Sequence, residues 1–169
     1  MKKSLIAGTI AIGLVASLWQ ILSSLYASSS LGSQFPLTGL AVSGFFGWTT
    51  FYAIGGKKSF FFKGISTNLS GIFWGIAFVL LMLLFPKTGL GLYIGLAIAG
   101  FISAGMMVFQ AHIKLLSFVP AAFIGCTTFF AVGGSITVPV IATAVIGLIL
   151  GNLLGVLSSE FSVILERKK

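Results

Sequence analysis

The sequence predicts an all-α integral membrane protein that forms a single transmembrane domain over residues 1–169. Of the 169 residues, 57% are hydrophobic and only 7% are charged, whereas an average soluble domain has about 25% charged residues. Six apolar stretches follow one another along the chain, each long enough to cross a bilayer core of about 30 Å as a helix. The few polar side chains could not cover the outside of a soluble domain of this length.

Short polar or glycine-containing breaks separate the six stretches. The stretches run over residues 4–26, 37–56, 65–85, 88–111, 115–134 and 138–161. A polar loop over 28–36 follows the first, and glycine turns at 55–59 and 133–135 follow the second and fifth. Pro120 falls inside the fifth stretch, where we expect it to kink the helix and free a backbone carbonyl.

The basic residues predict that both termini lie in the cytoplasm. With a cytoplasmic N-terminus, nine of the ten Lys and Arg side chains fall on the cytoplasmic side and only Lys87 falls outside, as the positive-inside rule requires. The net charge of +8 therefore indicates topology first and attraction to anionic membrane lipid second. We expect no nucleic-acid partner. The first apolar stretch is longer than that of a signal peptide, so we expect it to be retained.

Two segments of the chain are similar to each other. Residues 44–56 and 122–134 are identical at eight of thirteen positions, at a constant offset of 78. Because this offset spans three predicted crossings, the second copy should be inverted in the membrane, with repeat 1 over about 4–85 and repeat 2 over about 88–161. Inverted 3+3 repeats are common in transporters, whose pathway lies at the repeat interface near the midplane, although such symmetry can also serve packing alone.

Composition excludes most catalytic chemistry. With no Asp, two Glu, one His and one Cys, the chain lacks the groups for a paired-carboxylate site, a zinc or iron site or a Ser-His-Asp triad. It also lacks a phosphate-binding glycine-lysine loop. We therefore expect no enzyme activity, no metal and no cofactor.

Equivalent threonine pairs lie near the middle of the second and fifth stretches. They are Thr49 and Thr50 in the first copy, and Thr127 and Thr128 in the second. A hydroxyl group can donate and accept, which suits an uncharged solute, or it can bond back to its own helix. Neighbouring helical residues point about 100° apart, so at most one of each pair can line a path. Our hypothesis assigns Thr49 and Thr127 to the lining.

Asn68 and Asn152 are the most polar neutral side chains in the predicted spans, and they lie at similar depth. A buried amide needs hydrogen-bond partners, so these residues line a path or join helices; Gln20 presents the same alternatives. Phe51 and Phe129 form hydrophobic constrictions or simply pack. Trp48 and its smaller repeat equivalent Cys126 make the path asymmetric or are packing residues.

Two ionisable side chains, His112 and Glu160, fall near the cytoplasmic ends of predicted helices and are candidates for gating or proton transfer. No ionisable residue is predicted at the midplane, where coupled transporters usually keep one, which favours passive movement of a neutral solute. Glycines at four-residue spacing allow close helix approach within or between subunits and suggest a homo-oligomer. They are Gly71/Gly75, Gly91/Gly95 and Gly147/Gly151/Gly155.

A resemblance to a known family rests on two segments. Residues 116–120, Leu-Ser-Phe-Val-Pro, with the Phe-Ile-Gly at 123–125, resemble the central signature of the bacterial inner-membrane family called domain of unknown function 1097. Residues 47–53 and 67–74 resemble its other signature, with Trp48 where a Cys is usual and Asn68 where a small residue is usual. The resemblance implies a small multi-pass protein of the bacterial inner membrane and no particular activity.

The function that these observations favour is a passive channel or facilitator for a small neutral polar solute, such as water, urea, ammonia or a small amide. Thr49, Thr127, Asn68 and Asn152 are the leading lining residues. The alternatives are a proton-coupled secondary transporter of a small metabolite that uses Glu160 or His112, and a membrane subunit that packs against a partner without transporting anything.

Overall fold

The computed structural model describes residues 2–89 and 91–167, and every regular element within these ranges is helical. The α-helices there are α1 (Lys2–Ser28), α2 (Ser30–Gln34), α3 (Leu40–Ala53), α4 (Phe61–Leu84), α5 (Leu92–Phe109), α6 (Val119–Ala131) and α7 (Val138–Arg167). Short 3₁₀ turns lie between some of them. The predicted all-α fold is confirmed.

Four of these helices, α1, α4, α5 and α7, are long and apolar enough to cross a membrane. The other two apolar helices are shorter: α3 has 14 residues and α6 has 13. At 1.5 Å per residue they are about 20 Å long, less than the bilayer core of about 30 Å. The prediction of uninterrupted helices over 37–56 and 115–134 is therefore wrong in extent.

Glycines in left-handed backbone conformations set the ends of α3 and the last turn of α6. Gly39 precedes α3 with φ +88°, and Gly55 and Gly56 follow it with φ +121° and +64°. Gly133 and Gly134 follow α6 with nearly the same pair of angles, +128° and +60°. Side chains rarely tolerate these angles, which glycine adopts freely. The two short helices, α3 and α6, are thus followed by glycine pairs of the same backbone conformation.

Three local predictions are corrected. Pro120 lies in the first turn of α6, where no helical hydrogen bond is lost to its missing N–H, so the expected kink is absent. The predicted loop over 28–36 contains α2, which begins where the Ser29 hydroxyl accepts a hydrogen bond from Gly32 N at 3.0 Å. Gly91 has φ +74° and precedes α5, so it belongs to no helical glycine ladder.

Two helix pairs form the centre of the protein. α3 packs chiefly on α7, and α6 packs chiefly on α4, while α1 lies against α7 and α5 against α4. Between the pairs lies an apolar core formed by Ile72, Phe129, Val132, Ala144 and Leu148.

The glycines of α4 and α7 make the close contacts within these pairs. Gly71 lies against the carbonyl of Ala122, and Gly151 lies against the carbonyl of Gly44. A Cβ atom at either glycine would overlap that carbonyl oxygen. Positions 44 and 122 are equivalent in the sequence repeat, so the two contacts correspond. These two glycines pack inside the protomer, so they are not available for contact with a second subunit.

Candidate functional site

The most polar part of the interior is a cluster of three fully buried side chains, Asn68 on α4, Asn152 on α7 and Thr50 on α3. The Asn68 amide donates to Thr50 Oγ1 at 2.9 Å and to the Ala121 carbonyl at 3.0 Å. The Asn152 amide donates to Asn68 Oδ1 at 3.2 Å and to the Leu148 carbonyl at 2.9 Å. This central cluster therefore connects α3, α4, α6 and α7.

The cluster lies deep in the bundle. Asn152 is the fifteenth of the 30 residues of α7, and Glu160, eight residues further on, forms an exposed ion pair with Lys58 (Nζ to Oε1, 3.1 Å). Eight residues of helix rise about 12 Å. If this ion pair marks one polar boundary, the cluster lies near the middle of a core of about 30 Å.

Backbone contacts hold the cluster in place. Gly125 on α6 lies against the carbonyl of Asn68, and Gly47 on α3 lies against the carbonyl of Leu148. Gly47 and Gly125 are equivalent in the repeat, so both central helices are approached closely at matching points. Large residues at these positions would push the helices apart and break hydrogen bonds of about 3 Å.

One polar atom of the cluster has no hydrogen-bond partner. Asn152 Oδ1 is buried and unpaired. It faces Gly64 on α4: a Cβ atom there would lie 3.1 Å from the oxygen and 3.4 Å from Cγ2 of Thr50. An unpaired buried acceptor costs about 1–3 kcal/mol, so a hydrogen-bond donor that reached Asn152 Oδ1 would stabilise the cluster.

A second polar network, buried at Trp48 and Ser158 and exposed at Tyr52, lies between the cluster and the C-terminal end of α7. Trp48 Nε1 donates to Ser158 Oγ at 3.0 Å, and the Tyr52 hydroxyl and Ser158 Oγ lie 2.9 Å apart. The repeat-equivalent corner is aromatic instead, because Phe78 and Phe130 meet there edge to face at 5.7 Å. The side chains beside the matched glycine contacts therefore differ in chemistry, polar at Ser158 and aromatic at Phe78.

A third network joins α4 to the end of α5. Gln110 accepts from Trp74 Nε1 at 3.0 Å and donates to Ser70 Oγ at 2.9 Å. Its amide is therefore satisfied on both sides, which is the arrangement expected for a structural polar group between membrane helices.

Comparison with known proteins assigns the family. The family described as "Protein of unknown function (DUF1097)" matches residues 9–162. The chain belongs to the DUF1097 family. The predicted resemblance is confirmed.

Two relatives from Escherichia coli (strain K12) have been found. The "Uncharacterized protein YahC" is 34% identical over 155 residues, which cover 91% of this chain and 88% of YahC. The "Inner membrane protein YcdZ" is 36% identical over 116 residues, which cover 66% of each chain. No solved structure matches. Together with the long apolar helices, these relatives make this DUF1097 member a multi-pass protein of the bacterial inner membrane, as predicted.

The threonine pairs of this DUF1097 protein divide between its surface and its interior. Thr49 and Thr127 are exposed, whereas Thr50 and Thr128 are fully buried. The Thr49 hydroxyl donates to its own helix at Phe45 O, 2.9 Å away. The structure thus brings Thr50, and not Thr49 or Thr127, to the two asparagines. Thr128 donates back to Ile124 O at 2.7 Å.

The remaining predicted residues lie away from the cluster. Phe51 packs on Gly155, and Phe129 packs at the repeat-equivalent place on Gly75, so both fill the core around the helix contacts. Glu160 is in the exposed ion pair with Lys58. The other ionisable candidate, His112, is exposed and packs edge to face on Phe109 at 4.5 Å.

Sequence reasoning missed three members of the polar networks: Tyr52, Gln110 and Ser158. Tyr52 and Gln110 lie at the ends of apolar stretches, where a polar side chain ordinarily meets water or headgroups. For Ser158 a weak signal exists, because it follows Gly147, Gly151 and Gly155 at similar helical spacing. This series marks one face of α7 as the packed face.

Proposed function

We propose that this protein is a passive facilitator for a small neutral polar solute, and that the solute passes the central cluster. The observation that carries the proposal is a fully buried, uncharged hydrogen-bonding cluster deep in the bundle with an unused acceptor, Asn152 Oδ1. In hydrocarbon a polar group without a partner is costly. The unpaired oxygen therefore does not stabilise the packed helices, but it can accept a hydrogen bond from a passing solute. The proposal includes no catalytic step.

The absence of charge from the described interior supports passive movement. Every buried polar side chain within the described residues is neutral; they are Ser23, Ser43, Thr50, Thr67, Asn68, Ser103, Gln110, Thr128, Thr143, Asn152 and Ser158. Glu160 and His112 are at the surface. Proton-coupled transporters place ionisable groups inside the bundle. The coupled alternative requires a pH-gradient dependence that Glu160→Gln abolishes; the passive proposal requires none.

The route from the cluster continues toward the end of α7. Ser158 lies six residues beyond Asn152, about 9 Å along the helix, and bonds to Tyr52. Tyr52 lines a cleft of about 680 Å³ between α1 and α7, together with Ser159 and Ser162. In the opposite direction lies the apolar core, and the buried hydroxyls beside it, those of Ser43 and Thr143, are used in hydrogen bonds to backbone carbonyls. On this proposal the structure is a closed state, with a polar approach from one side and a hydrophobic barrier on the other.

We also propose the six-crossing, inverted 3+3 arrangement with both termini in the cytoplasm. It is supported by the basic residues and by the matched contacts of Gly71 with Ala122 and of Gly151 with Gly44. The short helix α3 and its equivalent α6 then cross with the help of their flanking segments.

Cysteine labelling tests this arrangement. In a Cys126→Ser background, Lys87→Cys should react with an impermeant maleimide added outside intact spheroplasts, and Lys114→Cys should react only after permeabilisation. If α3 and α6 were re-entrant and four helices crossed, the chain would place 87 inside and 114 outside. The opposite labelling pattern would therefore exclude six crossings with both termini in the cytoplasm.

The homo-oligomer remains a proposal, but it needs a surface other than the glycine ladders. The outer face of α1 offers one, because exposed polar residues follow there at helical spacing: Ser17, Gln20 and Ser24. A lipid-facing glutamine amide is costly, and the same amide of a second copy would satisfy it.

Solute flux tests the proposed function. Stopped-flow light scattering should show that urea, acetamide or water enters proteoliposomes faster than it enters protein-free vesicles. Asn152→Leu should remove this increment, since it replaces the acceptor with an apolar side chain. The matched control is Thr49→Val, which changes an exposed hydroxyl and should keep the flux. A flat solute panel with correctly folded protein would contradict the proposal and favour a subunit that does not transport.

A further inference from the structure

The hydrogen-bond inventory of the central cluster is one-sided. Each asparagine amide has two N–H groups and the threonine has one O–H. Both Asn68 N–H groups go to Thr50 and Ala121, and both Asn152 N–H groups go to Asn68 and Leu148. The Thr50 hydroxyl donates to Phe46 O at 3.3 Å. All donors of the cluster are therefore in use.

The acceptors are not all in use. Asn152 Oδ1 accepts nothing, and Asn68 Oδ1 accepts a single bond, from Asn152, although an amide oxygen has two lone pairs. The cluster can therefore accept further hydrogen bonds but has no N–H or O–H group left to donate.

The orientation of each amide group is fixed by its neighbours. Turning the Asn152 amide over would place its oxygen against the Leu148 carbonyl and Asn68 Oδ1, which are both acceptors. Turning Asn68 over would place its oxygen against the Ala121 carbonyl. Both alternatives exchange a hydrogen bond for repulsion between two oxygens, so the free atom at the centre is an oxygen and not an NH₂ group.

We infer that the central cluster selects solutes by the N–H or O–H groups that they donate, and discriminates against solutes of equal size that have none. This inference rests on the proposed function and narrows its substrate class to hydrogen-bond donors such as ammonia, water, urea and primary amides. A donor satisfies Asn152 Oδ1 on arrival. An acceptor-only solute leaves that oxygen unpaired and adds an unpaired acceptor of its own.

The residue that faces Asn152 Oδ1 is a glycine, Gly64, and this agrees with selection for solutes that donate hydrogen bonds. A Cβ atom at Gly64 would lie 3.1 Å from Asn152 Oδ1. The glycine therefore directs a Cα hydrogen toward this oxygen. Such contacts are at best weak hydrogen bonds, so a solute N–H competes with them easily. A small shift of α4 away from α7 at Gly64 exposes the oxygen and lengthens the hydrogen bond from Asn152 to Asn68, which joins these two helices.

Isomeric amides test the inference at constant size. Propionamide has two N–H groups, N-methylacetamide has one and N,N-dimethylformamide has none, although all three have the same formula. Stopped-flow entry into wild-type proteoliposomes, minus that into protein-free vesicles, should fall by about tenfold from the first isomer to the last, the effect of about one hydrogen bond. In Asn152→Leu all three protein-dependent rates should fall to zero.

The outcomes separate the inference from the proposed function. Equal protein-dependent rates for the three isomers in wild type would overturn donor selection and leave the facilitator in place. Rates no faster than in protein-free vesicles, for these isomers and for acetamide and urea, would overturn both. The wild-type comparison needs no variant, so misfolding of Asn152→Leu would leave the test intact.

Discussion

Alanine at Gly71 or Gly151 should be among the most destabilising additions of a single methyl group to the protein. Each glycine touches the backbone carbonyl of a neighbouring helix, and a Cβ atom would overlap that oxygen. Backbone cannot move aside as a flexible side chain can, so the helix pair must separate along its length. Overpacking of this kind typically costs about 1–3 kcal/mol, and here we expect the upper end of that range, about 3 kcal/mol or more.

Thermal unfolding in detergent, followed by size-exclusion chromatography of the heated samples, measures this effect. Gly105→Ala is the matched control, because Gly105 also lies in a helix but has no atom within 4 Å of the added methyl group. Equal unfolding midpoints for Gly71→Ala, Gly151→Ala and Gly105→Ala would contradict the two close helix pairs.

Loss of Asn68 should be the most damaging polar substitution. Its amide donates to α3 and α6 and its carbonyl oxygen accepts from α7, so Asn68→Ala removes three hydrogen bonds between helices. Such bonds in membrane proteins contribute about 0.6 kcal/mol on average and at most about 1.7 kcal/mol. We therefore expect a loss of about 2 kcal/mol in the free energy of unfolding.

Asn152→Ala should cost less, about 1 kcal/mol. One of the two hydrogen bonds that Asn152 donates lies within α7, to Leu148, so only one of the bonds lost joins two helices. Reversible unfolding in mixed micelles of a mild detergent and dodecyl sulfate measures both variants, with Thr49→Val as a control on the exposed face. A cycle that includes the double variant should give a coupling of about 0.5–2 kcal/mol. Equal losses for the two single variants, with no coupling, would argue against the Asn68–Asn152 bond.

Much of the architecture could be predicted from the sequence because hydrocarbon imposes simple rules. Long apolar stretches must be helical, and four of them are long helices in the structure. The ends of α3 and α6 were less predictable. They depend on backbone angles at Gly39, Gly55 and Gly133, and a glycine letter in the sequence does not say whether it ends a helix or packs inside one.

The candidate site was half predictable for a related reason. Asn68 and Asn152 stand out as buried amides that need partners, and they do bond to each other. The choice between Thr49 and Thr50 depends on how α3 is rotated about its axis. In a helix that is apolar on nearly every side, polarity gives no signal of that rotation. Tyr52 and Ser158 are 106 residues apart, and only tertiary packing brings them together.

The most direct test of the account is the urea flux of Gly64→Ala beside that of Gly105→Ala in proteoliposomes. The methyl group at position 64 would lie 3.1 Å from Asn152 Oδ1 and cover it, whereas the one at position 105 meets nothing. The account predicts that urea enters Gly64→Ala proteoliposomes no faster than protein-free vesicles. It enters Gly105→Ala proteoliposomes as fast as wild-type ones. Wild-type flux through a folded Gly64→Ala protein would contradict it.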